Sequence, residues 1–122
     1  MSLRRPARNF GEVAYANTRS IREAGRALKF AVAWAIATTE LGREPVSVEE
    51  YAAVVEESRA TAFRDQQAFR RAFPKEVTPA RINEVSGVQR RVDDLYRRLK
   101  DHKRAAVEAQ TLMFSLGGAP AS

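Results

Sequence analysis

The hydrophobic positions of the chain fall into helical rather than alternating order. From Ser20 the apolar residues Ile21, Ala24, Leu28, Ala31, Val32, Ala35 and Ile36 recur at three- and four-residue steps as far as Gly42. That spacing predicts a long helix, opened by the Ser20-Ile-Arg-Glu23 capping box and closed by a glycine able to turn left-handed, with Pro45 beyond it. Trp34 lies near its apolar side and is expected to anchor the core. Ser47-Val-Glu-Glu50 is a second capping box; it starts a short helix that turns Tyr51, Val54 and Val55 inward and keeps Glu49 and Glu50 in its first turn. Ser58 is placed to cap a third helix through Ala62, Phe63, Phe69 and Phe73, stopped by Pro74. On that helix the three phenylalanines are expected to face the core.

Thr78-Pro79 reads as a further start, threonine capping and proline giving up only an orphan donor. Ile82 and Val85 supply its apolar contacts, and Ser86-Gly87 kinks or interrupts it. Val88, Val92, Leu95, Leu99, His102, Ala106, Ala109 and Met113 then follow alternating steps, making a seam on a long final helix. The seam packs against the first helix or against a symmetry mate; self-association through Val88, Val92, Leu95 and Leu99 is the favoured use. Residues 1–17, with Pro6, Gly11 and three early arginines but no periodicity, are expected to be a flexible basic arm. Residues 18–116 then form a single helical domain, and 117–122, with Gly117-Gly118-Ala-Pro120, a flexible tail. The expected class is all-α: two short helices joined by a tight turn, between a long N-terminal and a long C-terminal helix.

Composition narrows the chemistry. The chain has 122 residues, enough for one modest core, and 21 Lys or Arg against 15 Asp or Glu give it a formal charge of +6. Such a balance favours approach to a polyanion. Without cysteine there is no disulfide framework or thiolate metal site, and the lone His102 cannot build an imidazole cluster, so no metal and no cofactor is expected. The apolar stretch from Phe30 to Ala37 is too short to span a bilayer, which points to a cytoplasmic address without membrane contact. No nucleophile has a neighbouring histidine, and the adjacent Asp93 and Asp94 diverge on a helix; the chain is expected not to be an enzyme.

The segment from Val48 to Asp65 resembles the helix-turn-helix of bacterial DNA-binding transcriptional regulators, over about a seventh of the chain. Ala52 looks like the small residue at the helix crossing, Val55 like the core residue before the turn, and Ala62 sits where that family buries an aliphatic side chain. Glu56 stands where glycine is commonest. Either it accepts a left-handed conformation at about 1 kcal/mol, or the turn is one residue longer. Glu57 stands where an aliphatic residue usually packs.

The resemblance implies that Ser58, Arg59 and Thr61 approach phosphates and base edges. The residues themselves add Arg64, Arg70 and Arg71 as guanidinium donors and Gln67 as a candidate adenine partner. Asp65 would repel phosphate, so it pairs with an arginine or accepts from a cytosine amino group. The bands Arg90-Arg91, Arg97-Arg98-Lys100 and Lys103-Arg104 are interleaved with acids and read as a solvated surface. The expected function is therefore sequence-specific binding of double-stranded DNA by a homodimer, with transcriptional regulation as the outcome. The rivals are a helical protein-interaction adaptor that binds no DNA, and a phage-type DNA-packaging or replication accessory protein.

Overall fold

A computed structural model describes the backbone of residues 9–116. Six α-helices, and no strand, occur among the described residues: α1 (Phe10–Asn17), α2 (Ile21–Leu41), α3 (Val48–Val54), α4 (Arg59–Ala72), α5 (Pro79–Ser86) and α6 (Val88–Leu116). The all-α class with a long early and a long final helix is thus observed. Contacts divide the chain into two units, Met1–Val92 and Asp93–Ser122.

Local rules set the helix ends. The side chains of Ser20, Ser47, Ser58 and Thr78 each accept the backbone N–H three residues on, at 3.1, 3.0, 3.1 and 3.1 Å. Each satisfies one orphan donor of its helix. Gly42 (φ 75°) and Gly87 (φ 82°) end α2 and α5 in the left-handed region. The Ser86-Gly87 break is therefore a true separation of α5 from α6.

In the first unit α2 is the central element, packing against α1, α3, α4 and α5. Its core side is lined by small residues, Ala24, Ala27, Ala31 and Ala35, which let neighbouring backbones approach, with Phe30 as the large filler. Phe30 meets Tyr51 at 4.9 Å, Trp34 at 5.6 Å and Phe69 at 5.7 Å between ring centroids. The expected α2 face is right in its middle and wrong at its margins: Ile21 is 74% exposed and Val32 43%. Val85 of α5 is likewise exposed, whereas Ile82 is buried. Asn83, also buried, donates its amide to the Ala31 carbonyl at 2.8 Å and fixes α5 on α2.

Residues 10–17, assigned above to the arm, form α1. Asn9 caps it by accepting the Glu12 N–H at 2.8 Å, and a Cβ at Gly11 would stand 3.2 Å from that same Asn9 oxygen. The glycine therefore leaves room for the cap instead of marking a loop. Ala14 is fully buried, Phe10 sets its ring edge-on to Phe73 at 6.1 Å, and Asn17 donates to the Ala72 carbonyl at 2.8 Å. Residues 1–8 of the expected arm and the expected tail lie outside the described residues.

The second unit's described residues are the remainder of α6. Leu95 and Leu99 are 59% and 50% exposed, and Met113 is also exposed. Val92, at the end of the first unit, is buried and Val88 half-buried, so these two expected seam residues are occupied by the fold itself.

Candidate nucleic-acid interface

α3 and α4 are joined by Val55–Ser58, and the joint is a left-handed reversal. The Val55 N–H donates to Tyr51 O at 3.0 Å, Glu56 takes φ 59°, and the Glu57 N–H reaches back to Ala52 O at 2.9 Å. This six-to-one closure uses up carbonyls that the end of α3 would leave bare. Of the two turns open from sequence, the chain adopts the one with a left-handed glutamate; Glu56 is its only non-glycine residue with positive φ among the described residues.

The next residue explains how a carboxylate sits where an aliphatic side chain was expected. Glu57 and Asp65 both turn inward and share the ammonium of Lys29 on α2, at 2.6 and 2.8 Å. Asp65 is 1% exposed, so it is a buried charge whose partner is a lysine of another helix, not the neighbouring arginine expected. Hydrogen bonds to Asp65 and then Glu57 hold the Lys29 ammonium above its ordinary pKa. Tyr51 is fully buried beside them; burial, then the Glu57 and Asp65 charges, push its phenol well above the usual range. The triad ties the α3–α4 turn and the middle of α4 to α2. No local pattern announces Lys29; the signal was two inward acids eight residues apart, which require a cation from elsewhere.

α4 buries Ala62, Asp65, Ala68, Phe69 and Ala72. Because Asp65 is its sole acidic residue, the opposite face carries only positive charge: Arg59, Arg64, Arg70 and Arg71. Gln67 lies there too, exposed among them. Phe63, expected in the core, is 38% exposed on this face. Its six-residue separation from Phe69 amounts to 600°, leaving it about 120° from the Phe69 side, and this projection was the available clue. The Arg59 guanidinium lies 5.7 Å from the Phe63 ring centroid.

The candidate contacts are not equivalent. Arg59 is paired with Glu49 at 3.0 Å, and Arg71 with Glu23. Among the described residues Arg64 and Arg70 have no carboxylate partner. Ser58 spends its hydroxyl as the α4 cap and donates to Thr61 Oγ1 at 2.9 Å. Arg59, Arg64, Gln67, Arg70 and Arg71 therefore share one face of α4, whereas the half-buried Thr61 lies toward the inward side that holds Asp65, and Ser58 is the cap.

Among the described residues no helix is long and apolar enough to cross a membrane, and no cluster of three or more His, Asp or Glu could hold a metal ion. No family model, curated protein or solved structure matches the chain.

Proposed function

We propose that the chain binds double-stranded DNA as a helix-turn-helix protein and regulates transcription, α4 lying in the major groove with α3 across its rear. The observation that carries the reading is the face of α4: four outward arginines, its one acid turned inside and paired with Lys29, preceded by a tight left-handed reversal. Arg64 and Arg70 supply phosphate or guanine-edge contacts directly. Arg59 and Arg71 join them after giving up their ion pairs with Glu49 and Glu23. Gln67 completes the set, and Phe63 offers an apolar contact to a thymine methyl.

A single recognition helix gains affinity and register from duplication. The exposed Leu95, Leu99 and Met113 on α6 recur at seam spacing and support a second copy as the partner; the contribution of Val88 and Val92 is to their own fold.

The test is fluorescence-anisotropy titration on a randomised duplex library at several salt concentrations, comparing the parent with Arg64→Gln/Arg70→Gln. Retained sequences are read in parallel. The double variant should weaken binding and lower the slope of log K against log salt by about 0.9 for each phosphate that is no longer neutralised. Binding that is absent, or unchanged in slope, overturns the reading in favour of a protein-interaction module.

A further inference from the structure

Beside α4, on the first unit, an aromatic-floored cleft of about 170 Å³ opens between α2, α4 and the start of α5. Trp34 makes its accessible floor, with Phe30 and Phe69 buried behind it, and Gln66, Arg70 and Glu44 stand at its rim. An apolar cavity of about 150 Å³ accepts one benzene ring, so the space suits a single ring and no fused system. The rim adds two opposite charges that do not pair with each other. Glu44 is steadied by the Trp34 indole, which donates to its Oε1 at 3.1 Å, and Arg70 has no carboxylate partner among the described residues. A monoanion would gain Arg70 and be repelled by Glu44; a monocation would meet the reverse.

We propose that this cleft binds a small single-ring aromatic zwitterion, its ring on Trp34, its carboxylate on Arg70 and its ammonium on Glu44. The binding stands apart from the DNA reading. A consequence does rest on that reading: Arg70 belongs to both surfaces, so an occupied cleft withdraws one guanidinium from the groove and weakens DNA binding.

Trp34 is the chain's single tryptophan, so its emission reports directly on the floor. The full chain is titrated with three compounds of one shape: phenylalanine, 3-phenylpropanoate, which lacks the ammonium, and phenethylamine, which lacks the carboxylate. Phenylalanine should give a saturable change, and each truncated probe should bind about tenfold more weakly, the worth of one charge-assisted hydrogen bond. Arg70→Gln should weaken phenylalanine about tenfold but bind phenethylamine no more weakly, since it also removes a like charge, while Glu44→Gln, which keeps the acceptor for Trp34, should weaken phenylalanine about tenfold but bind 3-phenylpropanoate no more weakly. Both side chains are exposed, and far-ultraviolet circular dichroism checks that the variants fold. A parent that gives no saturable response, or binds 3-phenylpropanoate as tightly as phenylalanine, overturns the proposal. Repeating the DNA titration with phenylalanine present separates the two readings. Cleft binding without any DNA binding keeps the site and removes its regulatory consequence; DNA binding without cleft binding does the opposite.

Discussion

Replacing Lys29 by methionine should be among the most destabilising single changes at the chain's surface, although nearly half of the lysine side chain, 48%, is in solvent. The reason lies in what it leaves behind. Asp65 is 1% exposed and its carboxylate meets the ammonium at 2.8 Å; Glu57, with 18% of its side chain exposed, meets it at 2.6 Å. Methionine keeps most of the aliphatic stem, so packing changes little, but two inward carboxylates lose their common cation. Breaking a buried pair from one side costs about 3–5 kcal/mol. Because Lys29 lies at the solvent edge, water reaches the vacated place, which brings the expected loss to about 2–3 kcal/mol. For a unit of this size that is a fall in Tm of roughly 10–20 °C.

Urea unfolding followed at 222 nm, with Trp34 emission as a second probe, measures the loss. In the parent the sign is set by the raised Lys29 pKa: the contribution is fully present below the unfolded lysine value of about 10.4 and is lost only as pH rises through the higher folded value. Lys29→Met/Glu57→Leu/Asp65→Leu should recover most of the stability, since an apolar replacement strands no charge. A Lys29→Met protein as stable as the parent would refute the reasoning. A triple variant no better than the single one would locate the loss in the lysine stem.

Two further predictions test the frame of the site. Glu56→Gly should raise stability by about 0.5–1 kcal/mol, because glycine carries no penalty at φ 59°; a measured loss in urea unfolding would mean that the glutamate side chain contributes more than its backbone strain. At the entry to α3, the Arg43 guanidinium, then the Val46 N–H, hold the Glu50 carboxyl down at about 2, so its contribution is present above the unfolded value and lost as pH falls through about 2. Carbon-detected NMR titration of Arg43→Gln should move the Glu50 midpoint upward, and an unmoved midpoint would assign the depression to Val46.

Helix ends and the all-α class were legible in the sequence because caps act within four residues: Ser20, Ser47, Ser58 and Thr78 each do what their spacing announced. Where reading failed, the deciding interaction was in most cases distant or fell on a helix margin. Gly11 looked like a loop residue although Asn9 and Glu12 beside it stand at cap spacing, a local signal that was missed; the Phe73 ring that Phe10 meets is the distant part. Phe63 was assigned by residue type when its angular position pointed outward. The arginines of α4 were found, but not their ranking, since Glu49 and Glu23, which occupy Arg59 and Arg71, come from other helices. The cleft was invisible for the same reason: Trp34, Glu44 and Arg70 are separated along the chain and meet only when α2 and α4 pack.

The inward acid of α4 connects the stability of the fold to the character of its surface. Had Asp65 faced outward among Arg59, Arg64, Arg70 and Arg71, it would have lowered the positive potential where a phosphate must arrive and offered those arginines an internal partner. Placed inside, it instead needs a cation, and α2 delivers one from the opposite side through Lys29, which also takes Glu57 from the turn. One ammonium thus pairs with two acids, leaving a single net negative charge that is held away from the proposed groove-facing side. It simultaneously fixes the pitch of α4 against α2, the helix that also supplies the cleft floor. A change at Lys29 mild enough to leave the chain folded should therefore disturb the arginine face and the Trp34 environment together, although Lys29 belongs to neither.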